Sequence, residues 1–321
     1  MNKVINIILI SLFSLTVISC AKKSSDDSKT TTDNTTTTDN TTTSTDFIAV
    51  GAAGTLLTSS DGTTWTTQTS GTSNNLRAVA YGNSTMVVVG FSGTILTSSD
   101  GTTWTSRTSG TSNNLGNITY GNSTFVAVGN SGTILTSSDG TTWTSKTSGT
   151  SEDLWGVTYG NSTWVTTGDN ETILTSSDGT TWTSRTSGAT VNNEVIYANS
   201  TFVALGLSGV ILSSSDGITW TSRTSGTTEH LFAGTYGNST FVVVGDNNST
   251  GTGTILTSSD ATTWTSRTSG TTKGLWGVTY GNSTFVTVGE SGIILTSSDA
   301  TTWTSRTSGT SLNFRRVFYK E

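Results

Sequence analysis

The chain has 321 residues, 31% of them hydrophobic and 11% charged, with a net charge of -6, one cysteine, one histidine and no proline. An acidic balance excludes a protein that holds nucleic acid by its phosphates, because that affinity needs a basic surface. Polarity is carried by Thr, Ser, Asn and Gly. Threonine suits pleated sheet, and without proline the turns fall to Gly, Asn, Asp and Ser.

Residues 1–19 carry a lone cation, Lys3, and then an apolar run over 4–18 broken by Asn6, Ser11, Ser14 and Thr16. This pattern predicts a secretory signal and is short for a membrane span. The run ends in Val17, Ile18, Ser19 and Cys20, which resembles the bacterial lipobox. The resemblance implies a lipoprotein in which Cys20 is diacylated and becomes the new amino terminus. The protein body is then expected outside the cytoplasm, at the outer membrane, the cell surface or in the periplasm. Each buried acyl methylene contributes about 0.8 kcal/mol to such an anchor. With Cys20 lipidated no thiol remains for a disulfide or for catalysis. Residues 20–46 hold no apolar side chain after Ala21 and cannot bury a core, so they read as a disordered tether rich in Thr, Asn, Ser and Asp.

The rest of the chain is organised around residues 94–104, T-I-L-T-S-S-D-G-T-T-W, whose near copies close on Trp65, Trp104, Trp143, Trp182, Trp220, Trp264 and Trp303, at gaps of 39, 39, 39, 38, 44 and 39 residues. A fixed period of this size marks a repeat architecture. Within one repeat four short strands are predicted, at 76–81 (a), 86–89 (b), 94–98 (c) and 104–108 (d), joined by turn-rich linkers. Strand b is nearly all apolar and must be covered on both faces, whereas strand d is polar. That is the profile of a propeller blade.

Strands b, c and d occur seven times, beginning at 47–51, 55–59 and 65–69, but no strand a precedes Phe47. The seventh strand a lies at the other end, over 313–320. A closed ring explains a repeat split between the termini, since the last strand completes the first blade and removes a free sheet edge. The expected fold is therefore all-β: a seven-bladed β-propeller of four-stranded blades over 47–321, expected as a monomer.

The unit S-S-D-G-T-T-W resembles the Asp-box, or bacterial neuraminidase repeat, and the whole blade is similar to the repeats of sialidase-like and photosystem II assembly-factor-like propellers. In that family the Asp-box is a peripheral turn whose Asp accepts backbone hydrogen bonds and whose Trp packs into the sheet. Here Asp and Trp stand one residue closer than in the usual box, and Ala261 and Ala300 replace the Gly in the last two copies. A calcium loop at these boxes lacks the several oxygen donors it would need, so they read as structural.

Other repeated features also have structural readings. The N-S-T triplets at Asn83, Asn122, Asn161, Asn199, Asn238 and Asn282 are formal glycosylation sequons that recur in the a–b turn, as turn chemistry explains. The cations three residues after the tryptophan, Arg107, Lys146, Arg185, Arg223, Arg267 and Arg306, read as edge charges that discourage sheet-to-sheet pairing. No catalytic, cofactor or metal constellation is assigned: His230 has neither a cysteine nor a second histidine to share a metal. A sialidase-type site could draw on Arg77, Arg315, Arg316, Glu194 and Glu229. The strand-a tyrosines recur in every blade, however, which fits packing better than nucleophilic catalysis.

Variation between the repeats gathers in the d–a connection with the start of strand a, and in the b–c loop. Both emerge on one face of an up-and-down blade. The candidate binding residues are Arg77, Asp153, Trp155, Glu194, His230, Phe232, Trp276 and Arg315 from the first group, and Phe91, Asp169, Asp246 and Glu290 from the second. Exposed aromatics beside arginines and carboxylates suit a glycan or a protein partner. The expected function is that of an interaction module on a lipoprotein. The alternatives are a sialidase-like glycoside hydrolase and an assembly factor for a membrane complex.

Overall fold

The protein is described by a computed structural model over residues 45–247 and 251–320. The expected signal, Cys20 and most of the expected tether lie outside the described residues. Seven four-stranded antiparallel sheets form the blades of a β-propeller. Blade 1 consists of Phe314–Tyr319, Phe47–Gly51, Leu56–Ser59 and Thr66–Thr67 in that order, so the last strand of the chain supplies the missing strand a. Phe47 pairs with Tyr319 and Val50 with Arg316 along this seam. The Lys320 N–H donates to the Asp46 carbonyl at 2.7 Å, and the Lys320 ammonium sits 4.9 Å from the centre of the Tyr81 ring in blade 2. Blade 2 runs Leu76–Gly82, Thr85–Gly90, Ile95–Ser98 and Thr105–Arg107, and blades 3 to 7 repeat the pattern in chain order.

The core lies between blades. Strand b is apolar because it is sandwiched: Val87, Val88 and Val89, like Phe125 to Val128 in blade 3, have no exposed surface. Five of the blades carry an aromatic ladder from the axis outward; in blade 2 Met86 takes the middle place. In blade 3 Tyr120 meets Phe125 at 4.6 Å and Phe125 meets Trp143 at 6.4 Å, geometries favoured by ring quadrupoles. The tyrosine also fits the glycine of the preceding blade. A Cβ on Gly121 would lie 2.5 Å from the Cβ of Tyr159, so only glycine admits the ring there.

The turns explain the repeated sequence. Asn83 and Ser84 take φ of 46° and 57°, the paired left-handed conformation of a two-residue hairpin turn, and the other N-S-T sites do the same. In the S-S-D-G-T-T-W turn, Asp100 Oδ1 accepts the N–H groups of Thr102 and Thr103 at 2.8 Å, the Ser98 hydroxyl donates to it at 2.9 Å, and the Trp104 indole N–H donates to the Gly101 carbonyl at 3.1 Å. Strand d is shorter than expected, beginning at Thr105 in place of Trp104, which belongs to the turn and lies outside the ladder. Ala261 and Ala300 occupy the turn position at φ of 58° and 60°, and the indole N–H groups of Trp264 and Trp303 have no partner there. The outer-strand cations lie across their blades: Arg107 Nε donates to Thr97 Oγ1 at 2.8 Å, with the same bond from Arg185, Arg267 and Arg306.

Candidate functional site

Strand a opens with a buried apolar residue, and in six blades the ladder skips the next residue. Leu76 pairs with Gly90 and Ala78 with Val89, leaving Arg77 between them unpaired. The same bulge isolates Gly116, Trp155, Phe232, Trp276 and Arg315. A bulged residue is freed from sheet alternation and re-aimed, and here all six side-chain positions turn into one cavity at the axis. In blade 5 two residues, Asn192 and Asn193, fill the place of one. The cavity measures about 340 Å³.

Two similar triads build its wall. The Arg77 guanidinium lies 5.4 Å from the Trp155 ring and 5.6 Å from Phe91, and the Trp155 indole N–H donates to Asp169 Oδ1 at 2.9 Å. Arg315 lies 4.3 Å from the Trp276 ring, whose N–H donates to Asp246 Oδ2 at 3.0 Å. In each, a b–c-loop carboxylate fixes an indole, and the indole face supports a guanidinium. Gly116 leaves room for the first triad: a Cβ there would lie 3.1 Å from Trp155 Cε3, a tight contact that would push on the indole. Burial, then the neighbouring charges of Arg315 and Arg316, pull the Arg77 guanidinium down from its usual value to about 10. Burial also lowers Arg315, against which Asp246 acts. Among the described residues neither Arg77 nor Arg315 makes a hydrogen bond or an ion pair of its own.

The floor of the cavity is an ion pair across the axis. Arg316 of blade 1 meets Glu194 of blade 5 at 2.6 Å, and Glu194 Oε2 also accepts the Gly234 N–H of blade 6 at 2.9 Å. Beyond it a second cavity of about 260 Å³ continues along the axis between strand-a residues.

The cavity thus brings together Arg77, Trp155, Asp169, Phe232, Trp276 and Arg315, with Phe91 and Asp246 behind them. The other four candidates are engaged elsewhere. Glu194 is in the floor. Asp153 Oδ1 accepts the Ser131 N–H at 2.7 Å, and His230 Nδ1 accepts the Ser208 N–H at 3.0 Å. These are blade-to-blade latches, made in the same way by Asn75, Asn114 and Asn313. Glu290 pairs with Lys273 at 3.9 Å and accepts the Gly274 N–H. Gly116 and Asn192 escaped the sequence reading. The signal that could have found Gly116 is its alignment with Arg77 and Trp155, one residue after the first apolar residue of strand a.

No family model and no curated protein matches the sequence. Solved structures do. YCF48 bound to a D1 peptide aligns with a TM-score of 0.59 at 15% identity, over 85% of this chain and 93% of that one. Virginiamycin B lyase from Staphylococcus aureus aligns with a TM-score of 0.63 at 10% identity, over 72% and 83%. A chain of a nidogen/laminin complex aligns with a TM-score of 0.51 at 11% identity, over 66% and 88%. At these identities the likeness is one of fold: this chain is a seven-bladed propeller.

Proposed function

We propose that the chain is an extracytoplasmic, lipid-anchored interaction module whose axial mouth receives a protein partner. One observation carries this reading: Arg77 and Arg315 stand in the mouth on aromatic faces, with no acceptor of the chain's own. Arginine and large aromatics in a partly desolvated pocket are the side chains that dominate protein-binding energy. A glycan fits less well, because the indole faces of Trp155 and Trp276 that would stack on a sugar ring are each shared with a guanidinium. YCF48 with its peptide and the nidogen/laminin complex support the protein reading as propellers of similar build with protein partners. The hydrolase alternative gains nothing: Glu194 is held by Arg316 and Gly234, and Glu229 accepts from Asn247.

The test places a photo-cross-linker in the full chain at Phe232, in the mouth, or at Asn161, on an a–b turn at the other face. A partner is expected from Phe232 only, and Arg77→Gln should abolish it. Equal capture from both positions, or capture indifferent to Arg77, would reject the reading. The anchor is tested separately. Cys20→Ser should release the protein from membranes, and unchanged fractionation would remove the lipoprotein part.

A further inference from the structure

We infer that the mouth reads a chain end: the free terminal carboxylate and last amide N–H of a polypeptide whose final side chain is large and apolar. This rests on the mouth being the binding site and adds what is bound there. Charge comes first. Of the three arginines, Arg316 is neutralised by Glu194 and Arg315 is eased by Asp246, whereas the charged neighbours that act on Arg77 are both cations. One uncompensated guanidinium, flat and two-pronged, matches one carboxylate.

The second observation is Asn192 Oδ1, a buried acceptor without a hydrogen-bond partner. It belongs to a residue that lines the same cavity. A buried acceptor left unpaired is costly, and a turn of the half-buried Asn192 side chain toward the cavity would let a donor from the ligand satisfy it. A terminal residue offers an amide N–H beside its carboxylate, which is the pairing that Asn192 and Arg77 ask for. The third observation is the floor. Arg316 and Glu194 meet across the axis, so a segment entering the mouth meets a barrier and an internal stretch would have to turn back within about 340 Å³. An end seats without an exit. Phe232 supplies the apolar wall for the last side chain.

Calorimetry on the full chain tests this with an acetylated pentapeptide ending in phenylalanine. The free acid should bind at least about tenfold more tightly than its primary amide or a version extended by glycines, the loss of one charge-assisted hydrogen-bonded contact. Arg77→Gln should erase the difference between acid and amide. Methylation of the last amide nitrogen should weaken binding to the native protein and have no further effect in Asn192→Leu. Acid and amide binding alike, still dependent on Arg77, would overturn the chain-end inference and leave the mouth as a protein site. Absence of binding by any pentapeptide would also overturn it, and the Phe232 cross-link then decides whether the wider reading falls too. Tighter binding of N-acetyl-D-alanyl-D-alanine than of the pentapeptide would overturn the protein source in favour of a cell-wall peptide.

Discussion

The aspartate turns at the rim recur in all seven blades and the bulged residue at the axis in six, yet they use sequence in opposite ways. Every one of these turns faces the same task, to close tightly and seat an indole between blades. The Asp side chain and its two N–H donors accordingly recur almost unchanged. At the axis the bulge takes one residue out of the ladder in six blades, so its side chain carries no packing duty toward its own sheet. Arg, Gly, Trp, Phe and Asn all fit there. Sameness within the chain marks work that each blade does for itself, and difference marks work the ring does once.

The comparison breaks most visibly at the seam. Deleting residues 313–321 removes strand a of blade 1 and exposes the Phe47–Gly51 edge. Loss of the cooperative melt, or oligomers in light scattering, is expected. A monomer melting like the intact chain would show that the ring is not locked there. Next come single side chains. Phe125→Ala, in the ladder, should cost about 4 kcal/mol in denaturant unfolding, whereas Trp155→Ala, at the mouth, should stay within about 1 kcal/mol. Equal costs would erase the distinction between rim and axis.

Acid separates the two regions again. The carboxyl of Asp100 is held below the usual carboxylate range by the backbone N–H groups of Thr103 and Thr102, and that of Asp299 by those of Thr302 and Thr301. A carboxyl lowered in the folded state stabilises above its unfolded value, near about 4, and that contribution is lost as pH falls through the folded value. Melting temperature should therefore hold steady from neutral pH and fall once pH drops below about 4, less steeply in Asp100→Asn.

The smallest effect has the opposite sign. Arg77 is charged, partly buried and beside like charges, so Arg77→Met should stabilise the fold by about 1 kcal/mol while removing ligand binding. Destabilisation together with full binding would show that Arg77 serves the structure.

Much of this was legible in the sequence. The tryptophan spacing gave the blades, and the missing strand a before Phe47 gave the closure, because both depend on pattern along the chain. The mouth was half legible. Arg77, Trp155, Phe232, Trp276 and Arg315 stood out as chemistry-bearing departures from the repeat. Gly116 contributes by lacking a side chain, and Asn192 follows a shortened d–a connection that shifts blade 5 out of alignment. Asp153 and His230 looked like binding residues, but their lone pairs belong to Ser131 and Ser208 of the preceding blade. That pairing joins positions 22 residues apart across an interface, and no local pattern reveals it.

The split repeat has a mechanical side. The chain enters the propeller at Phe47, on a strand held between two others, with five residue pairs on the Phe314–Tyr319 side and four on the Leu56–Ser59 side. A pull applied at Phe47 along the axis of its strand loads these rungs in parallel, as shear. Had the first strand been an outer strand d, the same pull would have peeled a two- or three-residue ladder one rung at a time. By starting one strand late, the propeller puts its first residue where a sheet is hardest to tear.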